Sequence, residues 1–218
     1  MAQENKKDDR KIDREIKGAF IFGGNLTQIE GDQVYNFNKL GIHAGVAGIL
    51  PIGKRFSFEI ETLYNEKGAF RKYPFASADS GSLPWYKCNL TYLEAPFMFH
   101  YEDRDTWTFG LGVSYGRLVK ATEIEWGGKQ DWYRFPYTKN EFDIIADLRF
   151  RLYKHLKFNV RYSYSLASIR TRTFDPNNNG GWERKQYNNV ITVRLMYLLN
   201  EKYLPERHKR VKKKKKQD

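Results

Sequence analysis

Residues 107–116 read WTFGLGVSYG. Taken in alternation, Trp107, Phe109, Leu111, Val113 and Tyr115 form one set, and Thr108, Gly110, Gly112, Ser114 and Gly116 form the other. A period of two is that of a β-strand with unlike faces. One face is large and apolar. The other is small and carries none of the charge expected of a face turned to water.

The same pattern recurs along the chain. Eight segments carry it, over about 16–27, 38–50, 56–67, 89–101, 106–119, 141–153, 157–168 and 186–199. In the third, Phe56, Phe58, Ile60 and Tyr64 oppose Ser57, Glu59, Glu61 and Asn65. In the sixth, Phe142, Ile144, Ala146, Leu148, Phe150 and Leu152 oppose Asp143, Asp147, Arg149 and Arg151. The fourth sets Leu93, Phe97, Phe99 and Tyr101 against Tyr92, Glu94, Met98 and His100, and Pro96 inside it removes one ladder donor. The connections after segments two, four and six are short, and the others are long.

A soluble sandwich would bury the large faces and wet the small ones. An eight-stranded barrel in a membrane does the opposite: large residues meet lipid and the small face lines a lumen filled by side chains. The inward positions decide between them. Glu59, Glu61, Glu94, Asp143 and Asp147 face Arg149, Arg151, Arg161 and Arg194, a near balance that a dry lumen requires. The expected fold is an all-β, eight-stranded, antiparallel up-and-down transmembrane barrel over 16–199. Short periplasmic turns, long extracellular loops and a plugged lumen complete it. Aromatic residues near both strand ends, such as Trp107, Phe158 and Tyr197 at one and Tyr64, Tyr115 and Tyr187 at the other, suit interfacial belts.

The two ends of the chain are charged. Residues 1–15 form a charged leader without apolar periodicity, and no secretory signal is visible there. The net charge of the 218 residues is +12, and half of it lies in 201–218. That tail, 200–218, carries Arg207, Lys209, Arg210, Lys212, Lys213, Lys214, Lys215 and Lys216. With an even number of strands it belongs in the periplasm. Its expected partners are lipid headgroups, an anionic cell-wall polymer or an acidic envelope protein, and not nucleic acid.

Catalytic chemistry is sparse. The four histidines show no ligand spacing, so neither a metal nor a cofactor is expected. No G-x-S-x-G or P-loop occurs, and Cys88 has no disulfide partner. His43 and His100 fall on inward faces, away from any lipid substrate, which speaks against a lipid-modifying enzyme.

GGNLTQIEGDQVYNFNKLGIHAGVAGILPIGKRFSFEIETLYNEKGA (23–69) resembles the opening of PorT-like outer-membrane β-barrel domain proteins. YLEAPFMFHY (92–101) and FGLGVSYGRL (109–118) resemble the fourth and fifth strands of that family. The resemblance implies a small, OmpA-like, non-enzymatic barrel, with some members linked to type IX protein secretion. The basic C-terminus departs from the family pattern, in which the chain stops at the last strand. The expected function is a structural or accessory outer-membrane role, binding a partner protein or envelope polymer through loops or tail.

Overall fold

A computed structural model describes residues 15–32, 34, 36–72, 85–103, 106–125, 128–129, 136–174 and 181–200. Eight long strands make the wall: β1 (Lys17–Glu30), β2 (Lys39–Pro51), β3 (Phe56–Lys72), β4 (Trp85–Asp103), β5 (Trp107–Glu125), β7 (Asn140–Tyr153), β8 (Leu156–Ser165) and β10 (Trp182–Leu198). Two short strands, β6 (Gly128–Lys129) and β9 (Arg170–Phe174), extend β5 and β10 at the loop end. Each long strand pairs antiparallel with the next, and β1 pairs with β10 from Ala19↔Leu198 to Glu30↔Tyr187. That last ladder closes the ring and leaves the wall without an edge.

The faces are those of a barrel in lipid. Leu111 and Phe22 are each 68% exposed while Arg194 is 1% exposed. Water-soluble monomers rarely expose contiguous apolar surface on this scale. Each expected segment falls on one long strand to within a residue, except 157–168, which overruns β8 because that strand ends at Ser165; β3, β4, β5 and β10 run further toward the loops than alternation showed. The cause is visible in β4. Up to Leu93 the large apolar residues other than Met98 point outward; loopward of it Tyr92, Leu90, Cys88 and Tyr86 point inward and Lys87 outward. The pattern inverts where the strand leaves lipid for water, so a period read from the membrane span fades at that level. Near the same level the β4–β5 register shifts at Thr91/Tyr92, and Val119 and Lys120 both face out.

Pro96 is accommodated. The β3–β4 ladder runs Phe56↔Tyr101 to Ile60↔Phe97, lapses over two pairs, and resumes at Leu63↔Glu94 in unchanged register. Gly31, at φ 86°, takes the left-handed turn that leads the chain off β1.

The lumen is layered. At the short-turn end Ala19, Ile21, Ala47, Ile49, Leu63, Met196 and Leu198 form an apolar layer. At the loop end Ile29, Val34, Ala69, Tyr86, Cys88, Leu90, Tyr92, Tyr137 and Ile169 form another. Tyr137 and Ile169 come from loops that fold inward, tied by Thr138 N–H to the Ile169 carbonyl (2.7 Å) and Ile169 N–H to the Gln186 carbonyl (2.8 Å). Arg170 secures this cap, stacked 4.1 Å from the Tyr137 ring centre and paired with Glu123 at 2.6 Å. Apart from the Arg170–Glu123 pair of the cap and Lys157–Glu102 at the short-turn end, the buried ion pairs lie between the two apolar layers.

Candidate functional site

The strand register places the inward charges in two groups. In the first, Glu59 and Glu61 project from β3, Asp147 and Arg149 from β7, Arg161 from β8 and Arg194 from β10. Glu59 accepts both hydrogen bonds of an Arg149 fork, at 2.6 and 2.9 Å. Glu61 accepts two forks at once, from Arg161 at 2.8 and 2.8 Å and from Arg194 at 3.0 and 2.7 Å. Asp147 joins Arg149 and Arg161 at 3.1 and 2.9 Å. Three carboxylates meet three guanidiniums in paired geometry, which is what keeps buried charge tolerable. His100 Nε2 lies 3.1 Å from Asp147.

The second group lies toward the loops. Lys67 Nζ of β3 reaches Glu94 of β4 at 2.7 Å, and Glu141 and Asp143 of β7 at 3.1 and 2.6 Å. Asn188 and Ser165 donate to Glu141 at 2.8 and 3.0 Å. One ammonium faces three carboxylates, so this group is not balanced.

Hydrogen bonds join the two groups. Arg194 Nη1 is a donor, so His43 Nε2, at 3.1 Å, accepts. The hydrogen of His43 is then on Nδ1, which donates to Asn65 Oδ1 at 3.0 Å. Asn65 Nδ2 in turn donates to Glu94 at 2.8 Å. Every link in this chain has a consistent direction, and His43 takes part as a neutral ring.

Of the nine inward charges expected from the sequence, eight occupy these two groups: Glu59, Glu61, Asp147, Arg149, Arg161 and Arg194 in the first, Glu94 and Asp143 in the second. Arg151 is corrected. It is half-buried at the β7–β8 turn, where its guanidinium donates to the Lys154 carbonyl at 2.6 Å. The alternation of β7 ends there, because the strand is leaving the barrel. Lys67 and Glu141 were not among the expected residues. The same alternation carried two positions past Asn65, and two before Asp143, would have found them. The leader residues 1–14 and the tail residues 201–218 lie outside the described residues.

The outer rim is cationic. Arg71, Lys72, Lys87, Arg117, Lys120, Lys139, Arg184 and Lys185 are exposed at the loop end. A broad depression of about 550 Å³ there is lined by Asn36, Asn38, Phe70, Arg71 and Lys72.

The family model described as outer membrane protein beta-barrel domain matches residues 1–170. A comparison with curated proteins finds no match. Among solved structures, Ail, the attachment invasion locus protein of Yersinia pestis, is similar with a TM-score of 0.50 and 12% identity, covering 85% of this chain and 99% of that one. Ail in complex with the heparin analogue sucrose octasulfate gives a TM-score of 0.48 at 11% identity, over 85% and 99% of the two chains. OprG from Pseudomonas aeruginosa gives 0.41 at 13% identity, over 85% and 95%. At these identities the likeness concerns the fold.

Proposed function

This chain belongs to the outer membrane protein β-barrel domain family, and from that premise we propose a non-enzymatic accessory barrel that binds an anionic envelope polymer or partner through its outer surfaces. The filled lumen carries this reading. Among the described residues two apolar clusters flank an ionic interior packed with side chains, which supports work at the outer surfaces and not through a pore or an internal substrate cavity. Both inward histidines are buried, His43 on Arg194 and Asn65 and His100 on Asp147, which supports a non-enzymatic role.

What is left to bind is outside. The cationic rim of the loop end and the lysine-rich tail both suit a polyanion, and an even strand count supports a reading in which they work on opposite sides of the membrane, the tail in the periplasm. Binding of this kind weakens steeply with salt, since screening acts over about 8 Å at physiological ionic strength. The test compares the full chain with a chain ending at Asn200 in co-sedimentation with cell-wall sacculi at low and high salt. Salt-sensitive binding that is lost with the tail supports the reading. Equal sedimentation of both chains at low salt removes the tail from it, and a Lys120→Gln/Lys139→Gln variant then tests the rim against outer-leaflet glycolipid.

The resemblance to PorT-like barrels supports a second reading, a component of a type IX protein secretion system. Pull-down of the full chain from detergent-extracted envelopes separates the two. Recovery of secretion machinery favours the second, and recovery of cell-wall polymer favours the first.

A further inference from the structure

The two charged groups of the lumen differ by two charges. The first closes at three carboxylates to three guanidiniums. The second sets Glu94, Glu141 and Asp143 against Lys67, their one cationic partner among the described residues, and all four are buried. One ligand oxygen from each of the three acids lies within 4.8 Å of the others. An excess of two negative charges among buried groups is too costly to stand uncompensated.

A second observation points to what compensates it. Ser114 is 2% exposed, and its Oγ has no hydrogen-bond partner among the described residues. It is the direct cross-strand neighbour of Asp143, on the same inward face, so it is aimed at this group. Asp143 Oδ1 and Asn188 Oδ1 are likewise buried and without a hydrogen-bond donor. These are three oxygens with lone pairs to give.

Gly116 lies in register between Glu94 and Glu141. A Cβ there would meet Glu94 Cγ at 3.4 Å, the Tyr92 ring at 3.5 Å and Glu141 Cβ at 3.6 Å, so the wall at this level is less tightly filled than at its other lumenal glycines. At Gly110 and Gly112, by contrast, a Cβ would collide at 2.3 and 2.2 Å.

We propose that Glu94, Glu141, Asp143 and Ser114 hold one hard divalent cation, calcium or magnesium, beside Lys67. The ion's charge completes neutrality with the three carboxylates and the ammonium. The donors are all oxygen, with no imidazole or thiolate among them, which is the set these ions take and zinc or copper do not favour. The proposal is independent of the outer-surface function.

The full chain is folded in detergent, stripped with EDTA, and dialysed against calcium, magnesium or sodium chloride at equal ionic strength. Folding is verified by heat-modifiable gel migration. The expected result is one calcium or magnesium ion per chain by elemental analysis and a higher unfolding midpoint than in sodium. Asp143→Asn keeps the shape and removes a charged ligand, and it weakens calcium binding by about tenfold or more. Ser114→Ala removes only the lone hydroxyl; it folds, and weakens binding by a smaller factor. A folded chain without a stoichiometric ion overturns the proposal. So does binding of zinc alone, or calcium binding that is unchanged in folded Ser114→Ala and Asp143→Asn; where Asp143→Asn does not fold, unchanged binding in Ser114→Ala overturns it.

Discussion

Glu61 is held by two arginines at once, and its removal leaves more than one charge uncompensated. Glu61→Gln deprives Arg161 and Arg194 of their shared partner, and Asp147 alone then faces both at 2.9 and 3.5 Å. Breaking a buried pair of this kind costs about 3–5 kcal/mol. Urea unfolding in detergent should show the loss, and the double variant with Arg194→Met should lose less than the sum of the singles. Simple additivity would argue against direct coupling. Asp32, in the loop after β1, offers a test by pH. Burial pushes its carboxyl up from 3.8 to about 7, Glu123 adds to the rise, and the Val34 N–H and Arg170 oppose it. The folded chain thus holds the proton more tightly than the unfolded one. The resulting stability is complete below the unfolded value and is lost as pH rises through about 7. Thermal midpoints should therefore fall from about pH 5 to about pH 8 in the natural chain and stay level in Asp32→Asn; parallel slopes would contradict the buried neutral carboxyl. Cys88 is fully buried, 3.1 Å from the Tyr137 hydroxyl. A maleimide should label it only after unfolding, and rapid labelling of the folded chain would mean that the cap is open.

At the scale of the element, β5 shows why one face of WTFGLGVSYG is bare. Gly110 pairs with His100 on one side and Asp147 on the other. A Cβ at Gly110 would lie 2.3 Å from Asp147 Oδ1 and 2.4 Å from the His100 ring. The glycine is the room in which its neighbours' large polar side chains cross. Gly110→Ala should destabilise by about 1–3 kcal/mol through overpacking. Gly48→Ala on β2, where a Cβ would meet nothing within 4 Å, serves as the control and should be near neutral. Equal effects at the two positions would show that β-propensity, and not lumen space, sets the glycine.

At the scale of the molecule, β1 closes on β10, and among the described residues two apolar layers flank the charged interior. Eight strands leave an interior only wide enough for side chains, and here the side chains fill it with ion pairs between the Tyr137–Ile169 cap and the Met196–Leu198 layer. Planar bilayer recordings should show no stable porin-sized conductance, and unboiled protein should migrate apart from boiled protein on a gel. Steady single-channel steps would refute the plugged lumen.

The sequence by itself determined the eight wall strands, their facing, and the asymmetry of the two ends. Alternation is a local property, and lipid and lumen demand opposite chemistry from adjacent residues, so Phe109 and Gly110 declare their sides without reference to any partner. It also placed eight of the nine expected charges inside, because an inward position on a strand is read two residues at a time. Only the tertiary structure decided which charge meets which. Glu61 and Arg161 are 100 residues apart, and Lys67 and Asp143 are 76 apart. Their meeting depends on the stagger with which the ring closes, which no single strand encodes. The same closure divided the charges into one balanced group and one short of two positive charges. It brought Tyr137 and Ile169 from distant loops into one cap, and it inverted the pattern of β4 at Tyr92, where the surroundings of the strand change from lipid to water and buried apolar side chains must turn inward.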